Sequence, residues 1–271
     1  EAIVSGNTLT VTLDTGDTVL LTAAADGTTL VGTYTIAAGD TSTDLTVNSF
    51  TIGTVTDAAG NAMSSTTVPA ANNIADTKAI VIDTTAPSVT SFTLSDSSLK
   101  SGDTSTVTLV FSEAVDQFSS DDDITLVNGT MTSMTSDDNI TWTGTFTPTT
   151  NITDTSNVLT LSPPWTDTAG NEGPTATTAN FTIDTAAPTV TAFTSTTADG
   201  SYNSDDTINI TATTSEAIVS GNTLTVTLNT GDGTEPVLLT AAADGTTLVG
   251  TYIIAAGDTS TDLTVNSFTI G

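Results

Sequence analysis

Residues 81–92 read VIDTTAPSVTSF, and residues 182–193 read TIDTAAPTVTAF. The two stretches share Asp-Thr-x-Ala-Pro and start 101 positions apart. Each is followed by a Ser-Glu-Ala motif, FSEAV at 111–115 and TSEAI at 214–218. A third motif, Thr-Asp-x-Ala-Gly-Asn, stands at 56–61 (TDAAGN) and again at 166–171 (TDTAGN). The fixed order of the three motifs gives a repeat of about 100 residues, a common size for a β-sandwich. A closer repeat is laid over it. Residues 216–271 nearly duplicate residues 1–53, with a short insertion at Gly233–Pro236 and changes such as Asp14 to Asn229 and Thr35 to Ile253. Such identity marks a recent duplication and implies a longer array.

Within each repeat the pattern is that of strands. NTLTVTL, TTLVGTYTI, STVTLVF, TWTGTFT, NVLTL, ANFTI and TINITAT alternate apolar and polar residues, and Gly, Asn, Asp and Pro punctuate them. Threonine makes up about a quarter of the chain, and β-branched residues favour strands. No segment carries a helical period. The expected fold is all-β: tandem immunoglobulin-like sandwiches in an elongated rod, without the cysteine pair of antibody domains. The linkers place the domains at 1–84, 85–184 and 185–271. The first is expected to lack its opening strands and the last its closing strands, as in a window cut from a longer array.

Composition excludes much chemistry. The chain has 271 residues, 31 acidic side chains, two lysines (Lys78 and Lys100), no histidine and no cysteine, for a formal charge of −29. Without His or Cys there is no Ser-His-Asp or Cys-His pair and no structural zinc site. Without arginine no phosphate clamp or nucleic-acid surface forms, and so acidic a surface repels nucleic acid and anionic membrane. No apolar run approaches a membrane span, so direct membrane insertion is not expected. The absence of cysteine fits secretion in an unfolded state. Carboxylate, amide, hydroxyl and carbonyl oxygens remain as ligands, a set that suits hard cations and Ca²⁺ first.

The sandwich topology predicts where those oxygens meet. The N-terminus and the B–C and F–G loops lie at one end of such a fold. Asp83 precedes the first strand of the middle repeat, Glu113 opens its B–C loop, and Asp167 and Asn171 sit on its F–G loop. These four are expected to form a Ca²⁺ site at the junction of the first two repeats. Three carboxylates held together repel one another unless a cation is present. The same site is expected from Glu1, Asp57 and Asn61 in the first repeat, and from Asp184 and Glu216 at the next junction. Asp40, Asp44, Asp103 and Asp154 are further candidates from the opposite tips. The competing reading is that Asp and Asn in such a loop only bond local backbone as an Asx-turn.

Other features carry less. The runs SDDD (120–123), SDD (136–138) and SDD (204–206) read as solvated loops. The Asn-x-Thr sequences at Asn128, Asn139, Asn151, Asn180 and Asn209 follow from the abundance of Asn and Thr. Trp142 and Trp165 read as core residues rather than a sugar platform. Paired carboxylates are the tools of glycoside hydrolysis, but no cleft-forming insertion accompanies them, and no enzyme is expected.

The middle unit, with SGDTSTVTLVFSEAV, DITLVNGT, TGTFTPTTNITDTSNVLTL, TDTAGN and FTIDTAAP, resembles the bacterial Ig-like repeats of giant surface adhesins and biofilm-associated proteins. The flanking units look like a sister subtype. The resemblance covers essentially the whole chain and implies tandem sandwiches, secretion to the cell surface and, in several such families, Ca²⁺ at the linkers. The expected function is mechanical: a calcium-stiffened extender whose partners are adjacent repeats of the same chain. The alternative is a self-assembling filament, sheath or surface layer, with copies of the chain as partners. A glycan-binding module would need an exposed aromatic cluster.

Overall fold

Alternation along the chain decides the local structure. In the strand Ser105–Phe111, Val107, Leu109 and Phe111 are buried while Thr106 is exposed. Side chains of a strand point to opposite faces in turn, so this pattern gives one dry face. The duplicated TLTVTL strands Thr8–Leu13 and Thr223–Leu228 bury Leu, Val and Leu in the same way. The computed structural model describes residues 1–231 and 236–271. Among them the regular structure is almost all strand, and the helices are single turns at Ile74–Thr77 and Ser120–Asp123. No helix among the described residues is long and apolar enough to cross a membrane.

The chain divides into two compact units, Glu1–Thr185 and Ala186–Gly271. The first unit contains two hydrophobic cores. One gathers Leu9, Val11, Leu13, Val19, Leu45, Val55 and Ile82. Its main sheet runs Leu30–Val31, Thr18–Ala23, Thr8–Leu13, Val47–Ile52, and the closing strand Ile82–Asp83 pairs with Thr41–Ser42 in a separate two-stranded sheet. The other core, in the middle sandwich, lies between two main sheets, and Val115, Ile124 and Leu161 of two smaller ones add to it. The first sheet is antiparallel, in the order Gly129–Met131, Thr141–Pro148, Ser105–Phe111, Val89–Leu94. The second has Phe181–Asp184 between Thr153–Asn157 and Ser98–Lys100, the latter pair parallel. Phe146 of one sheet meets Phe181 of the other edge-on, centroids 5.4 Å apart. The second unit is a six-stranded sheet with its own core around Val226, Leu228 and Leu239.

Three expectations are corrected. The stretch TTLVGTYTI forms a full strand, Thr247–Ile253, in the last copy but only Leu30–Val31 in the first. Thr247–Ile253 pairs along its length with Thr207–Thr214. The run SDDD is a helical turn rather than a solvated loop: Asp123 is buried and accepts the Ser119 N–H at 2.8 Å. Asn128, Asn139 and Asn151 take positive φ, so turn geometry, which Asn tolerates better than most residues, accounts for them. The insertion read at Gly233–Pro236 lies, apart from Pro236, outside the described residues.

Both tryptophans belong to the middle sandwich or pack on its core, so their fluorescence reports that core. Leu109→Ala should destabilise it by about 2–5 kcal/mol in urea unfolding, and Val127→Ala, at a partly exposed position, by well under ~1 kcal/mol.

Candidate metal centre

The loop that carries TDTAGN is anchored by Trp165. This residue is fully buried, with its ring 4.6 Å from that of Phe111. Gly173 closes the loop over the indole. Its N–H donates to the Trp165 carbonyl at 2.9 Å, and a Cβ at this position would stand 2.1 Å from the ring. Between these two anchors Asp167 organises the turn. Its Oδ1 accepts the N–H groups of Ala169 (2.8 Å) and Asn171 (2.9 Å), and its Oδ2 accepts the Asn171 side-chain amide at 2.8 Å. Gly170, at φ +93°, supplies the left-handed residue the turn needs. The loop is therefore an Asx-turn in its own right.

Three segments then converge on it. Val115 pairs with Asp167 in a short antiparallel ladder, and Glu113 lies two residues upstream. Ser112 fixes the approach: its N–H donates to the Ser88 carbonyl at 2.8 Å, and its hydroxyl accepts the Ser88 N–H at 2.9 Å. The linker is thereby fastened to the B–C loop. Asp83 ends the closing strand of the first sandwich, and its carbonyl oxygen accepts the Asn171 amide at 3.1 Å. As a result, one carboxylate oxygen from each of Asp83, Glu113 and Asp167 lies within 4.8 Å of the others. Among the described residues this is the one group of three acidic side chains so placed.

The donor set fits a calcium ion. Oxygens at about 2.4 Å from a common Ca²⁺ are at most about 4.8 Å apart. Asp83 and Glu113 are half-buried and Asp167 is buried, so the group is partly withdrawn from water. Burial pushes the Glu113 carboxyl above its usual range, and the negative charges of Asp83 and Asp167 push it further. Burial also acts to raise Asp167. The Asn171 amide and the backbone N–H groups of the loop outweigh it and hold that carboxyl below its usual range. The site thus stores one stabilised and one destabilised anion side by side.

The other candidates are placed as follows. Asn171 joins the group as an amide donor that orients Asp167 and holds Asp83. Asp57 and Asn61 repeat the Asp167 turn, with bonds of 2.7–2.9 Å, and Ile3 pairs with Asp57 as Val115 does with Asp167. Glu1 stands in the place of Glu113, but among the described residues no third carboxylate completes a triad there. Asp184 belongs to the first unit, where it accepts the Thr153 hydroxyl at 3.0 Å. Glu216 belongs to the second, where its carbonyl accepts the Thr214 hydroxyl. Asp40, Asp44, Asp103 and Asp154 accept hydrogen bonds from Tyr34, Ile80, Lys100 and Asn128 respectively, and none joins the triad. Sequence reading overlooked Ser112 and Gly173. The Ser of Ser-Glu-Ala carried the first signal, because Ser215 fastens Thr189 with the same two bonds (2.8 and 2.9 Å).

Residues 83–183 match the family model of a bacterial Ig-like domain. The match begins at Asp83 and spans the middle sandwich with all three carboxylates. No curated protein matches the chain.

The opposed shifts give a pH signature in cation-free buffer. Glu113, raised in the fold, favours the folded state at low pH and loses that contribution as pH rises through its folded value, above the ordinary glutamate range. Asp167, lowered in the fold, favours folding at neutral pH and loses its contribution as pH falls below the ordinary aspartate range. Glu113→Gln should abolish the upper change and leave the lower one, read as melting temperature against pH. Gly173→Ala should lower the melting temperature at every pH, because its Cβ has no room beside Trp165.

Proposed function

We propose that this chain is a structural segment of a secreted, cell-surface repeat protein, in which Ca²⁺ ties one sandwich to the next. The observation that supports it is the origin of the three carboxylates. Asp83 comes from the closing strand of one sandwich, and Glu113 and Asp167 come from two loops of the following one. A cation bound by all three resists separation of the two sandwiches, and its removal leaves anions that repel across the junction. A bacterial Ig-like domain is a structural element typical of extracellular proteins, and the acidic surface suits a calcium-rich exterior. The role is mechanical: to extend and stiffen, in adhesion or in a biofilm. The reading gives the chain no catalysis.

Replacing Asp167 with alanine is a poor test, because that carboxylate also holds its own loop. Glu113→Gln is cleaner, since no hydrogen bond of the loop depends on it. In EGTA the variant should melt higher than wild type, having lost a repelled charge. In millimolar Ca²⁺ the order should reverse, with wild type gaining about 2.7 kcal/mol at a hundredfold excess over Kd. Asp122→Ala, in the exposed part of the acidic run, should behave as wild type in both. Equal stabilisation of all three proteins by Ca²⁺ and by NaCl of the same ionic strength would indicate general screening and sink the reading.

A further inference from the structure

The Asp-Thr-x-Ala-Pro motif has a part that the cation site does not use. Its threonine follows the closing strand of a sandwich and fastens that strand where it leaves the fold. Thr185 is buried. Its N–H donates to the Ile152 carbonyl at 2.7 Å, and its hydroxyl donates to the Thr149 carbonyl at 2.7 Å and accepts the Ile152 N–H at 3.0 Å. Thr84 acts alike in the first sandwich. Its hydroxyl donates to the Asp40 carbonyl at 3.0 Å and accepts the Gly39 N–H at 2.8 Å. The serine of Ser-Glu-Ala marks the point of entry instead: Ser112 holds Ser88, where the chain comes into the middle sandwich.

Between these two fastenings lies the strand Phe181–Asp184. It is central in its sheet, with Ser98–Lys100 parallel on one side and Thr153–Asn157 antiparallel on the other. Thr182, Ile183 and Asp184 stand opposite Ser98, Leu99 and Lys100, and the Thr182 N–H donates to the Ser97 carbonyl at 2.9 Å. On the other side the buried Asn157 side chain donates to the Phe181 carbonyl at 3.2 Å. Tension on the two ends of the sandwich pulls Ser98–Lys100 from its N-terminal side and Phe181–Asp184 from its C-terminal side. Because the strands are parallel, these pulls are opposed along the strand axis. The bonds between them lie across that axis and are evenly spaced, so they share the load rather than break in turn.

We propose that the pair Ser98–Lys100 and Phe181–Asp184 is the tension-bearing clamp of the middle sandwich, and that Thr185 is its lock. The proposal rests on the reading that the chain carries mechanical load, and no metal ion takes part in the clamp. To slide, Phe181–Asp184 must lose its ladder, the Asn157 bond and the Thr185 bonds in one step. That raises the barrier to forced unfolding, which follows the unfolding rate rather than equilibrium stability. Thr185 stands at the end where the load is applied, so its hydroxyl resists tension along the chain and contributes little against peeling from the far end of the strand.

Single-molecule force spectroscopy on the full chain in EGTA tests it. The chain has no cysteine, so introduced pairs define the points of attachment. Ala86→Cys with Ala187→Cys loads the sandwich end to end. Ser97→Cys with Ala179→Cys pulls apart the N-terminal ends of the same two strands, so that their bonds break in turn. The unfolding force should be about two- to threefold higher in the first geometry, because three registered pairs share the load. Thr185→Val should lower the end-to-end force and leave the peeling force unchanged, whereas a merely structural hydroxyl would lower both alike. An equal loss in both geometries overturns the lock. Equal forces in the two geometries overturn the clamp, and that comparison needs no variant at Thr185. If both forces are also no higher than those that stretch the unfolded chain, the load-bearing reading falls with it.

Discussion

Three carboxylates drawn within 4.8 Å of one another must be neutralised or must repel, and this chain has almost nothing of its own to neutralise them. The constraint acts at one point, yet much of the first unit is built around it. The closing strand of one sandwich delivers Asp83. The Val115–Asp167 ladder brings Glu113 alongside, and the Asx-turn holds Asp167 still. Each of these is held independently of the ion: by strand pairing, by the Ser112–Ser88 bonds, and by Trp165 beneath Gly173. A site preformed in this way loses little conformational freedom when a cation enters. It also carries its repulsion without a cation, as the proposed calcium-dependent stiffening requires.

Much of this was legible in the sequence. Alternation gave the strands because a sandwich needs only one dry face per strand, and the repeat period gave the size of each sandwich. The triad was legible because strand order fixes which loops share an end, so Asp83, Glu113 and Asp167 could be brought together without coordinates. Other features escaped because they depend on partners distant in sequence. Asp123 looked like one of three solvated acids, but it is buried, and its backbone carbonyl accepts the Ser162 N–H at 2.9 Å. Gly173 looked like any loop glycine, and only the indole of Trp165 reveals why no side chain fits there.

The Asx-turn is present, and the proposed cation site does not require its absence. Asp167 accepts three bonds from its own loop, which holds its pKa low and its charge in place. Glu113 has no such support, and its pKa is raised. The structural carboxylate therefore positions the site, and the unsupported one makes it responsive. The first copy repeats the device: Asp57 accepts the same three bonds from its own loop. The TDxAGN motif is thus a folding device in both copies, and at Asp167 it also places a carboxylate beside those of Asp83 and Glu113.

The most direct measurement is anomalous diffraction from crystals of the full chain grown in Ca²⁺ and soaked with a lanthanide, which takes the same oxygen ligands. The account predicts one strong peak about 2.3–2.6 Å from oxygens of Asp83, Glu113 and Asp167 together. A map with no peak there, or with the metal held only by exposed acidic runs such as Asp121–Asp122, would contradict it.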